Sequence, residues 1–355
     1  MSRIPVLFSI LCVLSVVFFT SCDPPPPRQH EIVSDGKPIV GVIAGKSTPY
    51  WDSMEFGAGN SAVMNELHLL WQENSDTDDF DQQAAAIRSF IARRVQGIIV
   101  TTQNELMLRD ILQRATDQGI HVLLADSPPL KHTENLTQPL SIVATDQNHA
   151  GQLAADEMAR LLGEEGRVAI IRYSPLSWKT ENREKGFLSQ IENYPEIEVV
   201  GQNLYAGTES RFAREKLMNF LRLRIWNGKL NLDGIFISEE STACEMLLLL
   251  EQAELDINPH FVAFGTDPQL VTGMATYLVD ALFAEQPVRM GQLAVDAMAE
   301  MLRGETIAPF CDSGVHCITI ENLMSPYSQA LLYPTAEDSP NILLNKDTDS
   351  ETGSE

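Results

Sequence analysis

Residues 40–58 read VGVIAGKSTPYWDSMEFGA. An apolar run, PIVGVIA at 38–44, enters a short turn and leaves it as a helical stretch. AGKS in that turn resembles the end of a phosphate-binding loop. Such a loop needs four residues between its glycines so that successive backbone N–H groups curl around the phosphate. Gly41 and Gly45 have three between them, and Pro49 removes a donor and disfavours helix at Thr48. The phosphate reading is set aside. What remains is a strand–turn–helix unit with an aromatic pair, Tyr50–Trp51, at the helix start, where α/β proteins place ligands.

The unit repeats. LHLLWQE (67–73), GIIVTT (97–102), HVLLAD (121–126) and SIVATD (141–146) are strand-like, with amphipathic helical stretches between them over roughly 52–66 and 79–94 and in ELMLRDILQRATDQ. Strands separated by helices at this spacing build a parallel, doubly wound sheet. The pattern resumes with RVAIIRY (167–173), EIEVVGQ (196–202), GIFIS (234–238), HFVAFG (260–265) and YLVDALF (277–283), and a late helix, MGQLAVDAMAEMLRG, covers 290–304. These are too many strands for one compact sheet. The expected fold is α/β, with two doubly wound parallel-sheet lobes joined by a hinge and a cleft at the carboxyl ends of the strands.

The two ends read differently. Residues 1–21 carry Arg3, then an uncharged run from Ile4 to Phe19, then small residues before Cys22. This has the form of a lipoprotein signal peptide with Cys22 as lipid anchor. Residues 22–36 open with DPPPPRQHE and suit a stiff linker, and residues 334–355 are a polar, acidic tail expected to be disordered. The implied location is the cell envelope, on the periplasmic side, tethered to a membrane. The formal net charge is −24 and no basic stripe precedes the first strand, so nucleic-acid binding is not expected.

Cys244 lies in an apolar helical run and reads as a core thiol. Cys311 and Cys317 flank DSGVH. A tight turn there brings thiols together, so a disulfide is expected; a metal site with His316 is the alternative, without a second ligand cluster to support it. No metal or cofactor is nominated. SEEST at 238–242 offers two carboxylates and a serine, but adjacent carboxylates at a helix start serve as capping charge, so no catalytic residue is nominated and the chain is not read as an enzyme.

An ordered set of anchors calls up a family: STPYW (47–51), RRVQGIIV (93–100), GIHVLLADS (119–127), SIVATDQNHAGQLAADEM (141–158), Arg183–Phe187 as RxxGF, GIFISEES (234–241), VAFGTDP (262–268) and the helix after PVRMG. From about Pro38 to Asn322 the chain resembles a type I periplasmic binding protein of the ribose-binding class. The resemblance implies a first lobe over 37–145 plus about 286–312 and a second over 146–285 plus about 313–333. It implies a monomer that captures a sugar or sugar-like polyol, with an ABC permease or a membrane sensor kinase as partner.

The same resemblance places Thr48, Tyr50, Trp51, Asp126, Arg183, Glu239, Asp267 and Glu285 in the cleft. Aromatic rings would stack on the sugar's C–H face, Asp126 would accept from hydroxyls and Arg183 would donate. Alternatives stand beside these roles: core packing for Tyr50 and Trp51, turn capping for Asp126, an interlobe ion pair for Arg183. Trp178 is a further candidate stacking face, with a surface or core role as its alternative. Glu239 and Glu285 stand where the ribose pattern has neutral amides, and Gly265 displaces the usual aspartate to Asp267. The pocket would be more anionic than one for ribose, which admits a cationic amino sugar beside a neutral sugar.

Overall fold

The computed structural model describes residues 36–74, 79–102, 105–128, 140–253 and 255–333. Residues 1–35 and 334–355, hence the expected signal peptide, Cys22, most of the linker and the acidic tail, lie outside the described residues.

The first lobe begins with β1 (Ile39–Ala44), α1 (Pro49–Met64), β2 (His68–Glu73), α2 (Phe80–Ala92), β3 (Gly97–Val100), α3 (Glu105–Asp117), β4 (His121–Ala125) and β5 (Ser141–Ala144). The chain crosses over and builds α4 (Gln147–Leu162), β6 (Glu165–Arg172), α5 (Trp178–Ile191), β7 (Glu196–Val199), β8 (Leu204–Tyr205), α6 (Ser210–Arg222), β9 (Ile225–Trp226), β10 (Lys229–Leu230), β11 (Gly234–Ile237), α7 (Glu240–Gln252), β12 (His260–Phe264), α8 (Pro268–Ala275) and β13 (Ala281–Glu285). It returns as α9 (Pro287–Leu302) and β14 (Phe310–Asp312), then crosses again into β15 (Val315–Thr319) and α10 (Pro326–Leu332).

Among the described residues the strands form two large sheets. The first, in the order β14-β5-β4-β3-β1-β2, is parallel throughout. The second runs β15-β13-β12-β11-β6-β7, with β8 also on β6, and is parallel except for the β13–β15 pair. Both faces of each sheet are covered, which is why their strands read as unbroken apolar runs. In the first lobe Ile43, Ile98 and Leu124 face α2 and α3, while Val42, Ile99 and Leu123 face α1 and α9. In the second, Ile235 and Phe261 face α6 and α7, while Phe236 and Val262 face α4 and α5.

Several boundaries differ from expectation for identifiable reasons. The first helix starts at Pro49 rather than near residue 52, because proline suits the first helical position, and extended Thr48 caps it by accepting from Trp51 N. The strand expected over 277–283 starts at Ala281, since Tyr277 has φ 61° and Asp280 is spent on Phe261 N and His260. The expected Cys311–Cys317 disulfide is absent: both thiols are free. Cys311 pairs with Val143 in the first sheet and Cys317 with Phe283 in the second, so the turn between them is a crossing and not a hairpin.

Each lobe has one helix pair in backbone contact. A Cβ on Gly151 of α4 would lie 1.9 Å from Arg183 O of α5, and one on Gly186 of α5 would lie 1.9 Å from Asn148 O of α4. Gly57 of α1 and Gly291 of α9 repeat this in the first lobe. The α4–α5 contact fixes the axis of the helix that carries Arg183. Gly151→Ala therefore forces the helices apart, at about 3 kcal/mol for overpacking. Denaturant unfolding should show the unfolding free energy fall by that amount, while a control with open space for the added methyl, Gly59→Ala, does not.

Candidate functional site

The sequence places a charged residue just past or at the end of a strand in each lobe, and the fold turns them towards each other. Asp126 follows β4 with φ 47°, a left-handed conformation that aspartate tolerates better than most residues. Its side chain is only 3% exposed. Glu285 ends β13 in the second lobe. Arg183 sits on α5, held in place by the glycine contact below it.

Lys179, in the first turn of α5, joins the two sides. Its Nζ lies 2.6 Å from Asp126 Oδ1 and donates to Oδ2 at 2.8 Å. It is also 3.5 Å from Glu285 Oε2 and 5.2 Å from the centre of the Tyr50 ring. Both oxygens are thus engaged by the ammonium, and the carboxylate's remaining lone-pair sites keep acceptor capacity. Asp126 and Tyr50 belong to the first lobe and Lys179 to the second, so this ammonium bridges the lobes.

Arg183 is committed within the second lobe. Nε donates to Gln147 Oε1 at 2.6 Å, Nη1 to Ser238 O at 3.0 Å, and Nη2 lies 3.1 Å from Glu285 Oε2. The guanidinium stacks 4.2 Å over the Phe264 ring. Gln147 Nε2 closes the network by donating to Glu285 Oε1 at 2.7 Å. Behind it, fully buried Glu184 accepts from Arg172 Nε at 2.6 Å, Tyr173 N at 3.1 Å and Ser238 Oγ at 2.8 Å. That fixes the strand ends from which Ser238 meets Arg183.

The charges tune one another. Burial works to raise the Glu285 carboxyl, but Lys179, Arg183 and the Gln147 hydrogen bond outweigh it and hold it at about 2. Asp126 moves the other way: burial raises it, Glu285 adds to the rise, and Lys179 offsets only part. Burial lowers Lys179, but Asp126 and Glu285 prevail and it stays charged beyond the ordinary lysine range. The Tyr50 hydroxyl, which interacts with Asp126, is pushed well up by burial and both acids, and stays a neutral donor.

Tyr50, Asp126, Arg183 and Glu285 thus come together around two ion pairs. Asp126 pairs with Lys179, while Arg183 pairs with Glu285. Tyr50 and Trp51 stand edge to face at 90°, not as one flat shelf. Tyr50 reaches the cluster; Trp51 packs on Gly45 and the first-lobe core, half-exposed. Thr48, Glu239 and Asp267 are helix caps. Glu239 accepts from the N–H and hydroxyl groups of Ser241 and Thr242, and Asp267 from Gln269 N at 2.7 Å. Trp178 precedes Lys179, and its Nε1 is buried without a partner among the described residues. Sequence reading missed Lys179. Its signal was the spacing to Arg183: two cations four residues apart on one helix face repel unless carboxylates stand opposite.

The periplasmic binding protein domain family model matches residues 39–306. The chain is 20% identical over 303 residues to the ribose import binding protein RbsB of Bacillus subtilis, spanning 84% of this chain and 94% of that protein. It is 26% identical over 215 residues to a xylitol-binding protein of Mycolicibacterium smegmatis, 60% of this chain and 58% of that protein. Among solved structures, a solute-binding protein of Burkholderia graminis in complex with D-arabinose superposes with a TM-score of 0.67 at 25% identity, covering 82% of this chain and 99% of that one.

The Glu285 network should be visible in the pH dependence of stability. A carboxylate held below its ordinary 4.5 contributes stability above that value and loses it as pH falls towards about 2. The full shift corresponds to up to about 3 kcal/mol. Glu285→Gln should be less stable than the parent at pH 7, with the gap closing between pH 4.5 and 2. Thermal unfolding across that window would measure it, and a gap constant with pH would contradict the assignment.

Proposed function

The chain belongs to the periplasmic binding protein family, in its type I ribose-binding class, and we propose that it captures a sugar or sugar-like polyol between its lobes and delivers it to an ABC importer. One observation carries this reading. Asp126 is a buried carboxylate at the lobe interface, raised by burial, whose two oxygens have more lone-pair sites than Lys179 and the Tyr50 hydroxyl fill. Polyols supply such donors: each hydroxyl gives one, and a carboxylate accepts several, each bond strengthened by the charge. The relatives named above, a ribose import protein and a xylitol-binding protein, support the same class.

In this reading the ligand enters between separated lobes, meets Asp126 and Tyr50 on one side and Arg183 on the other, and shifts the population towards the closed arrangement. A membrane partner reads that arrangement. Trp51, half-exposed beside Tyr50, offers an apolar face at the rim, and the unpartnered Trp178 Nε1 offers a donor. The chain would sit on the periplasmic side, tethered through acylated Cys22.

A thermal-shift and calorimetric screen over pentoses, hexoses and polyols tests the binding. A ligand at about a hundredfold excess over its Kd stabilises by about 2.7 kcal/mol. The best hit should lose that shift in Asp126→Ala and Arg183→Ala; equal stabilisation of both variants would place the ligand elsewhere. Mass spectrometry of the mature N-terminus tests the tether. The expected species begins at acylated Cys22, and Cys22→Ala should leave the membrane fraction.

A further inference from the structure

The interlobe cluster holds a cation of its own where a cationic ligand would sit. An ammonium bound by protein is held by opposed carboxylates and an aromatic face. Lys179 Nζ has all three: both oxygens of Asp126 at 2.6 and 2.8 Å, Glu285 Oε2 at 3.5 Å and the Tyr50 ring at 5.2 Å. With Arg183 Nη2 3.1 Å from the same Glu285 oxygen, two carboxylates face two cations and the cluster carries no formal net charge.

We propose that Lys179 is the specificity-determining residue of the cleft: it occupies the cation position between Asp126, Glu285 and Tyr50, bridges the lobes there, and leaves the site to an uncharged polyhydroxyl ligand. This rests on the sugar-binding reading and narrows its substrate class. A ligand ammonium would meet the like charges of Lys179 and Arg183 at close range, with the charge of both carboxylates already balanced by them. A ligand carboxylate would have to displace Glu285 from Arg183 or Asp126 from Lys179, leaving a buried acid without its partner. A hydroxyl does neither. It donates to the lone-pair site that Lys179 and the Tyr50 hydroxyl leave open on Asp126.

Two measurements on the full chain in detergent separate this from the broader reading. The first needs no sugar. Hydrogen–deuterium exchange should show Lys179→Met losing protection on both sides of the bridge, in peptides spanning 124–128 and 178–184, while peptides from β1 and β11 keep theirs. Unchanged protection at both sites would overturn the bridge.

The second compares D-glucose, D-glucosamine and D-glucuronate, and the same three of the galactose series, by calorimetry. The parent should bind a neutral member over both charged ones. Lys179→Met should gain about tenfold or more for the amino sugar, since a like charge is removed and two acids are left facing it. The double variant with Asp126→Asn should lose that gain, and its thermal unfolding checks the fold. Tighter binding of a charged member to the parent, no gain in Lys179→Met, or a gain that survives in the double variant would each overturn the proposal. If no sugar binds any form, the sugar reading itself fails, and the exchange measurement alone decides whether Lys179 bridges the lobes.

Discussion

Four charges, two buried and two largely so, where two lobes meet set the terms for everything else in this molecule. Each would cost several kcal/mol if left alone away from water. They are tolerable because every one has an opposite partner within 3.5 Å and because Gln147, Ser238 O and the Phe264 face take up the remaining directions of Arg183 and Glu285. The arrangement is not even-handed. Arg183 and Glu285 satisfy each other within the second lobe, so that side is preorganised whatever the first lobe does. Asp126 depends on a lysine from across the cleft. The first lobe's carboxylate is raised by burial, which that lysine offsets only in part.

The rest of the fold supports that geometry. α5 must bring Lys179 and Arg183 to the interface with sub-ångström reliability, and a helix lying on a sheet by side-chain packing alone would leave more freedom. The glycine pair Gly151 and Gly186 removes it by putting α4 and α5 in backbone contact. Gly57 and Gly291 do the same for α1, which carries Tyr50, and α9, whose Met290 sulfur lies 3.8 Å from the Tyr50 hydroxyl. In each lobe, the tightest helix contact involves the helix that delivers a side chain to the cleft.

Much of this was legible in the sequence, because buried parallel strands are continuous apolar runs and Gly, Pro and Asp punctuate them. The unread pieces have physical reasons. Glu239 and Asp267 stand at strand-to-helix turns, where a carboxylate serves a cap or a ligand equally well, and spacing cannot separate the two. Trp51 and Tyr50 are adjacent, so a helix start sends one to the core and one to the cleft. Cys311 and Cys317 looked like the two sides of a hairpin because nothing local announces that the chain between them changes sheets. The short β9–β10 hairpin, by contrast, did have a signal: Asn227–Gly228, both at positive φ, is a preferred two-residue turn. Lys179 was hidden by its type, since a lysine near a helix start is ordinarily solvated surface.

The hinge explains why the site residues fall where they do. The chain crosses between sheets at Thr145–Asp146, at Gln286 and at Ser313–Gly314. Thr145 Oγ1 lies 3.0 Å from Ser313 Oγ, and Asp312 Oδ1 accepts from Asp146 N and Gly314 N at 2.9 and 2.8 Å. Two crossings are thereby tied by short side-chain contacts, and the third is joined through Tyr327, whose hydroxyl donates to Gln286 Oε1. Gln147 follows the first crossing directly and Glu285 immediately precedes the one at Gln286. The Gln147–Glu285 hydrogen bond, braced by Arg183, therefore ties two of the three crossings together within one residue of where the chain changes sheets. Asp126 and Tyr50 face that tie from the first lobe, through Lys179.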